Sequence, residues 1–205
     1  MAVCCIIAAA GASRRLGHPK QLVRLDGETL IERSVRVAHQ AGVKRVLVIL
    51  GAHAQQIRPV LQPPSPSFII LENTQWQQGL SSSIRLGMDH LRACPDCDGA
   101  LLMTCDQPHI TAAHLHALLS TFDAHQRQCL VASGYGAIVG IPAVFPRALF
   151  PALSVLTGDE GARSLLRSAT GPAPVVVPCE AASLDIDTPD DEAQLAQWSR
   201  SGNEF

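Results

Sequence analysis

Val3-Cys4-Cys5-Ile6-Ile7-Ala8-Ala9-Ala10-Gly11-Ala12-Ser13-Arg14-Arg15-Leu16-Gly17-His18-Pro19-Lys20 runs from an apolar strand into a loop of small residues that ends in fixed cations. An uninterrupted apolar strand, Val3 to Ala8, fits a sheet covered on both faces. In such sheets ligands gather where the strands end. Gly11 and Gly17 lack a Cβ, so the backbone can turn sharply and approach an anion. Successive loop N–H groups can form a concave nest for phosphate oxygens. Arg15 can fork two donors onto a phosphate, and Lys20 adds a compact point charge. The bland alternative is a plain turn with solvated arginines. Two other phosphate loops are excluded. A Walker A loop ends in Gly-Lys-Ser/Thr, whereas His18-Pro19 separates Gly17 from Lys20, and no G-x-G-x-x-G is present.

Downstream the pattern alternates. Strands are expected at Arg45–Leu50, Phe68–Glu72, Ala100–Cys105 and Cys129–Ser133. Helices are expected at Thr29–Gln40, Ala54–Val60 (ended by Pro63-Pro64-Ser65-Pro66), Ser81–Ala93 and Thr111–Asp123. Thr111 caps its helix, and Leu115, Leu118, Leu119 and Phe122 form the apolar stripe. The last third breaks the rhythm. Pro142, Pro146 and Pro151 punctuate it, with a helix at Ala162–Ser168, a short strand at Val175–Val177 and a closing helix at Asp190–Trp198. The fold class is α/β, a single-domain, Rossmann-like three-layer α/β/α sandwich around a mostly parallel sheet. One domain spans 1–205, with a nucleotide-binding half at about 1–106 and an acceptor-binding half at 107–205.

Composition narrows the function classes. Sixteen Lys plus Arg stand against 18 Asp plus Glu, so no basic face for nucleic acid stands out, and aromatic residues are only 4% of the chain. The apolar start is too short for a membrane span and runs straight into the loop, so it is read as a buried strand and not as a leader. Seven cysteines, several of them in apolar runs, suit reduced thiols and a cytoplasmic protein. Cys94-x-x-Cys97 lacks the second pair of a zinc ribbon; it is a redox pair or two incidental thiols.

Chemistry concentrates at strand ends. Asp106, just before Gln107-Pro108, is placed to hold Mg²⁺, since Thr111 already serves as the helix cap. Asp185 and Asp187 point the same way on an extended segment. Asp187 is either a second metal ligand or, like Thr188, a cap for a helix with Pro189 in its first position. After Asn73, Trp76 and Gly79, three serines (Ser81, Ser82, Ser83) exceed what capping needs, so at least one faces a ligand. Trp76 either shields a site or packs on the core. Arg163 opens a helix, where the dipole disfavours a cation; it has a ligand or carboxylate partner, or it is a surface residue with Asp159 as the cap. His53 is a surface loop residue or an acceptor contact.

These residues carry a family pattern: Ala9-Ala10-Gly11-x-Ser13-x-Arg15-Leu16-Gly17-x-x-Lys20, Asn73-x-x-Trp76-x-x-Gly79 with Ser83, Asp106-Gln107-Pro108, Gly140-x-Pro142, Gly158-Asp159-x-Gly161-Ala162-Arg163 and Asp187-x-Pro189. In order, and over nearly the whole chain, they resemble the molybdenum cofactor cytidylyltransferases, nucleotidyltransferases of the GT-A-like fold. The resemblance implies that Ala9, Ala10, Gly11, Ala12, Ser13, Gly79 and Ser83 bind the nucleotide, with Ala9, Ala10 and Gly11 lining the base pocket and Ser83 at the base edge. Arg15 and Lys20 would hold the β- and γ-phosphates and, with Asp106, form the catalytic set. Asp106 and Asp187 would hold Mg²⁺, or Mn²⁺ in its place, and Gly140, Pro142, Asp159 and Arg163 would face the acceptor. Guanylyl-transferring relatives carry Gly where Ala10 stands, and the added methyl favours a pyrimidine, hence CTP.

The implied reaction moves CMP from CTP to the phosphate of molybdopterin carrying molybdenum, releasing pyrophosphate. The implied partners are these small molecules and, transiently, a molybdoenzyme or chaperone, with no nucleic acid and no membrane. A sugar or polyol phosphate acceptor is the alternative within enzymes. A non-catalytic nucleotide-binding protein of cofactor maturation is the alternative outside them, and a nicotinamide oxidoreductase would need the glycine fingerprint this chain lacks. Three positions depart from the pattern: Leu16 for Met, Ile141 for His, and the stretch Tyr135-Gly136-Ala137.

Overall fold

A computed structural model describes residues 2–61, 67–159, 161–167 and 173–201, the last three as backbone only. The strands are β1 (Ala2–Ala9), β2 (Arg24–Leu25), β3 (Glu28–Thr29), β4 (Arg45–Leu50), β5 (Phe68–Glu72), β6 (Cys97–Thr104), β7 (Val131–Tyr135), β8 (Ile138–Pro146) and β9 (Val175–Pro178). The helices are α1 (Leu30–Gln40), α2 (Ala54–Ile57), α3 (Leu80–Arg92), α4 (Ala112–Ala124), α5 (Phe150–Leu153), α6 (Arg163–Leu166) and α7 (Pro189–Ser201). Seven strands make one sheet in the order β5-β4-β1-β6-β8-β7-β9, and β2 pairs with β3 in a separate ribbon.

The strand β1 explains the layering. Its alternate side chains Val3, Cys5, Ile7 and Ala9 pack with Ile31, Val35 and Ala38 of α1 and with Leu115, Leu118 and Phe122 of α4. The others, Cys4 and Ile6, meet Ile84, Met88 and Leu91 of α3 and Phe150 and Leu153 of α5 on the opposite face. Each Val, Ile, Leu, Met or Phe among them contributes about 1.5–3 kcal/mol on burial, which makes a both-faces-covered sheet the stable arrangement for this apolar run. The start of α1 is set by a reciprocal cap. Thr29 Oγ1 accepts from the Glu32 N–H, while the Glu32 carboxylate accepts from the Thr29 N–H at 3.0 Å.

The structure corrects the expected last third. Residues 138–146 form a nine-residue strand, β8, in the middle of the sheet and antiparallel to both β6 and β7. Prolines hide it, because a proline cannot donate to a ladder. Pairing with β7 jumps from Ala132↔Ala143 to Ser133↔Gly140, so Ile141 and Pro142 stand in a bulge. Pro146 closes the strand opposite Gly99.

Smaller shifts follow. The expected strand Ala100–Cys105 begins at Cys97 and ends at Thr104, and Cys129–Ser133 moves to Val131–Tyr135. The helix expected over Ala54–Val60 is α-helical only to Ile57 and continues as a 3₁₀ turn. The helix expected at Ala162–Ser168 is the single turn α6, and Ser168, Glu160 and Pro63-Pro64-Ser65-Pro66 lie outside the described residues.

All seven cysteines are free, and Cys94 and Cys97 are buried. No helix among the described residues is long and apolar enough to cross a membrane.

Candidate active site

Two cavities meet at the carboxyl ends of β1 and β6. The first, about 420 Å³, is lined by the loop after β1 and by Gln21, Trp76, Gly79 and Ser83. The second, about 640 Å³, is lined by Tyr135, Gly140, Ile141, Arg163 and Asp185 among others. Lys20, Leu80, Thr104, Asp106 and Asp159 line both, so they mark the junction.

The junction is an ion cluster. Lys20 Nζ donates to Asp106 Oδ2 at 2.6 Å and to Asp187 Oδ1 at 2.8 Å, and Arg15 donates to Asp187 Oδ2 at 2.5 Å. The side chains of Lys20 and Asp106 are each 16% exposed, so these charges act through a medium far less polar than water. Burial opposes the Lys20 charge, but Asp106 and Asp187 outweigh it and hold the ammonium above its usual range. Burial likewise works against the Asp187 carboxylate, but Lys20 and Arg15 prevail and hold it below the usual carboxylate range. Asp185, one step along the same extended segment, is pushed up to about 7 by desolvation and by the like charges of Asp106 and Asp187.

Local packing delivers Asp187 to this place. The Ile186 N–H donates to the Asp106 carbonyl at 2.8 Å. Leu16, Val23, Leu25, Leu30, Ile186 and Leu195 form a small apolar cluster beneath the ion pairs. Of the two candidates for the cap of the closing helix, the structure uses Thr188. Thr188 Oγ1 accepts from the Asp191 N–H, and the Asp191 carboxylate accepts from the N–H groups of Asp187 (3.0 Å) and Thr188 (2.8 Å). Thr188 therefore caps α7, and the Asp187 carboxylate is left to Lys20 and Arg15.

The first cavity is built from small residues and backbone. An added Cβ on Gly51 would stand 2.7 Å from Ala10 Cβ and 2.8 Å from Trp76 Cβ, so only glycine lets those two approach. The serines divide their roles. Asn73 Nδ2 donates to Ser82 Oγ (2.7 Å) and Ser83 Oγ (3.0 Å), and Ser82 Oγ donates to the Gly79 carbonyl. Ser83 alone of the three lines the cavity. Gly79, at φ 91°, brings the helix start against the next loop: a Cβ there would fall 2.2 Å from Asp159 Oδ1. The Ser81 N–H donates to the Gly158 carbonyl at 3.2 Å.

The second cavity gathers side chains from the antiparallel half. Gly140 lies under the Tyr135 ring, and a Cβ on it would meet Tyr135 Oη at 2.3 Å. Arg163 and Arg167 offer exposed cations one helical turn apart. Pro142 does not join them: it is buried, and its carbonyl accepts from Ser133 Oγ at 2.7 Å. His53 stands elsewhere too, its Nε2 3.1 Å from the Ala12 carbonyl behind the loop. Gln21, Thr104 and Asp185 also line the cavities, and Gly51 packs against Ala10 and Trp76. Only Asp185 carried a signal in the sequence, its alternation with Asp187.

A divalent cation fits this donor set. Lys20 Nζ already shows that one cation can reach Asp106 and Asp187 together. Among the described residues no three His, Cys, Asp or Glu side chains gather as a metal group. Two carboxylates suffice for Mg²⁺, which takes its remaining ligands from substrate phosphates and water.

Fold and cleft define a class: a nucleotidyltransferase with the GT-A-like architecture. The chain belongs to the MobA-like NTP transferase domain family, whose pattern matches residues 5–174, and it is a nucleotidyltransferase enzyme of that type. Among curated relatives it is 31% identical to the purine catabolism protein PucB of Bacillus subtilis, over 91% of this chain and 92% of that one. It is 31% identical to the nicotine blue oxidoreductase of Paenarthrobacter nicotinovorans, covering 79% and 80%. It is 28% identical to a probable molybdenum cofactor guanylyltransferase of Synechococcus elongatus, covering 69% and 73%. Among solved structures it is similar to Rv0371c of Mycobacterium tuberculosis, at a TM-score of 0.81 and 30% identity over 96% of this chain and 98% of that one. It also matches that protein's complex with manganese, at a TM-score of 0.77 and 28% identity, covering 96% and 99%.

Proposed function

We propose that the enzyme transfers CMP from CTP to the phosphate of a phosphorylated acceptor, with molybdopterin carrying molybdenum as that acceptor, and releases pyrophosphate. One observation carries this: Lys20 lies between Asp106 and Asp187 where the two cavities meet. A triphosphate in the first cavity would place its reacting phosphorus there, and the acceptor phosphate would approach from the second.

Cytosine is supported by two features of the first cavity. The buried Ala10 methyl and Trp76 both line it, and the methyl takes space that a glycine would leave open. Ser83 Oγ accepts from Asn73, which leaves its own O–H to donate to a base acceptor such as cytosine O2 or N3. The molybdopterin assignment draws on the named guanylyltransferase relative and on the second cavity, where Arg163 and Arg167 face an apolar wall of Ile138, Ile141 and Leu166.

The chemistry asks little of a proton carrier. A phosphomonoester has its second pKa near 6, so the acceptor oxygen is already anionic at pH 7. Arg15 and Lys20 turn from their carboxylate partners to the β- and γ-phosphates and stabilise departing pyrophosphate. Asp106 and Asp187 would hold Mg²⁺, as the resemblance implies, and the ion would neutralise phosphate charge and align the entering and leaving oxygens.

A competition series with Mg²⁺ and CTP, GTP, ATP or UTP tests the base, and pyrophosphate release against molybdopterin and against sugar or polyol phosphates tests the acceptor. CTP should bind best and molybdopterin should support turnover. Preference for a purine triphosphate would overturn the base assignment, and turnover on a sugar phosphate alone would overturn the acceptor.

A further inference from the structure

The carbonyls of the loop after β1 are all engaged by the protein, two of them by Gln21 at the floor of the first cavity. Gln21 Nε2 donates to the Ala9 carbonyl at 2.8 Å and to the Gly11 carbonyl at 3.1 Å. The Ala52 N–H donates to the Ala10 carbonyl at 3.1 Å. His53 Nε2 lies 3.1 Å from the Ala12 carbonyl and donates to it in the Nε2–H tautomer. The Ser13 carbonyl accepts from the N–H groups of Leu16 and Gly17. Every carbonyl from residue 9 to residue 13 is therefore committed.

The N–H groups tell the opposite story. Among the described residues, no protein acceptor meets the backbone N–H of Gly11, Ala12, Ser13, Arg14 or Arg15. Ser13 takes a left-handed φ of 50°, a conformation that makes neighbouring N–H groups converge on one point. Residues 11 to 14 line the first cavity. The loop thus presents donors to the cavity because its acceptors are held away from it.

Gln21 is the central tie. It is 1% exposed and grips two carbonyls, while among the described residues its Oε1 has no partner. The two N–H bonds hold the side chain in place, and they do so against the cost of the unpaired buried oxygen. Gly11 has no Cβ to resist rotation, so without that tie its peptide is free to swing a carbonyl into the cavity and present negative charge to a phosphate.

We propose that Gln21, seconded by His53, is a positioning residue that locks the loop in its donor-forward arrangement, so that triphosphate binding depends on a side chain that need not touch the nucleotide. This rests on the assignment of the first cavity to a nucleoside triphosphate.

The test uses the full chain, unaltered and as Gln21→Met and His53→Ala. Calorimetry with Mg²⁺ identifies the tightest of CTP, GTP, ATP and UTP, and the matching free nucleoside serves as the control. Gln21→Met should weaken the triphosphate about tenfold or more and the nucleoside less than about twofold, because the nucleoside carries no phosphate for the loop to bind. His53→Ala, which leaves the core alone, should weaken the triphosphate about threefold with the nucleoside unchanged. Equal weakening of triphosphate and nucleoside, or no change in either, overturns the positioning role. Should Gln21→Met fail to fold, an unchanged triphosphate affinity in His53→Ala overturns it. If the unaltered protein binds none of the four triphosphates, the nucleotide assignment itself falls and takes this inference with it.

Discussion

The two halves of the sheet solve different problems. The half made of β5, β4, β1 and β6 is parallel and presents a cavity shaped by backbone and small side chains. The half made of β8, β7 and β9 contains the antiparallel strand and presents a larger cavity lined with arginines, carboxylates and a tyrosine. A triphosphate is a constant shape, so repeating backbone donors recognise it well. On the reading proposed above, the second cavity takes an acceptor that differs from enzyme to enzyme, which suits a site lined by side chains. The two meet at Lys20, Asp106 and Asp187, where charge outranks shape.

Substitutions should separate the halves. Asp106→Ala lies on the boundary and should lower turnover by roughly 100-fold while far-ultraviolet circular dichroism stays unchanged. Retention of activity in that variant would remove the boundary from the account. Gly51→Ala should weaken nucleotide binding about tenfold or more, since its Cβ would press on Ala10 and Trp76. The acceptor KM should stay within about twofold of the unaltered enzyme, and equal damage to both substrates would erase the distinction between the cavities.

Ala10→Gly acts more gently inside the first cavity. It should shift discrimination toward a purine triphosphate by about 1–3 kcal/mol, read from kcat/KM for GTP against CTP. Arg163→Ala sits across the boundary. It should raise the acceptor KM several-fold and leave the nucleotide KM as it is; a nucleotide effect would place this arginine on the wrong side.

The smallest effect lies in stability. Burial holds the imidazoles of His39, His109 and His114 below their usual range. Their folded-state proton affinity is depressed, so the unfolded chain binds more protons below the ordinary histidine value. Tm should therefore rise with pH up to about 6.5 and level off above it. A Tm that falls across that interval would contradict these assignments.

The contrast between halves also explains what could be seen in the sequence. An apolar strand buried on both faces is visible as an unbroken run, so β1 and β4 were legible with only small changes of boundary; the half-buried edge strand β5 was legible from its short run of Phe, Ile and Leu. The strand β8 was not, because Ile141 and Pro142 sit in a bulge that only its pairing with β7 creates. Within the site, Arg15, Lys20, Asp106 and Asp187 were legible as charges at strand ends. Gln21 was not, because its role depends on which way loop carbonyls face. Gly51 was not, because the crowding of Ala10 and Trp76 joins residues far apart in the chain. Pro142 was drawn into the acceptor set by its motif, while the structure turns it into the sheet.

We propose that a metal-bound triphosphate sits between the loop after β1 and the two carboxylates. The most direct measurement is a crystal structure of the enzyme with CTP and Mg²⁺. One ion should bind carboxylate oxygens of both Asp106 and Asp187, at roughly 2.0–2.1 Å. The phosphates should lie against the N–H groups of residues 11–15, with Lys20 Nζ moved onto them. A nucleotide seated elsewhere, or an ion bound away from both carboxylates with Lys20 still between them, would contradict the proposal.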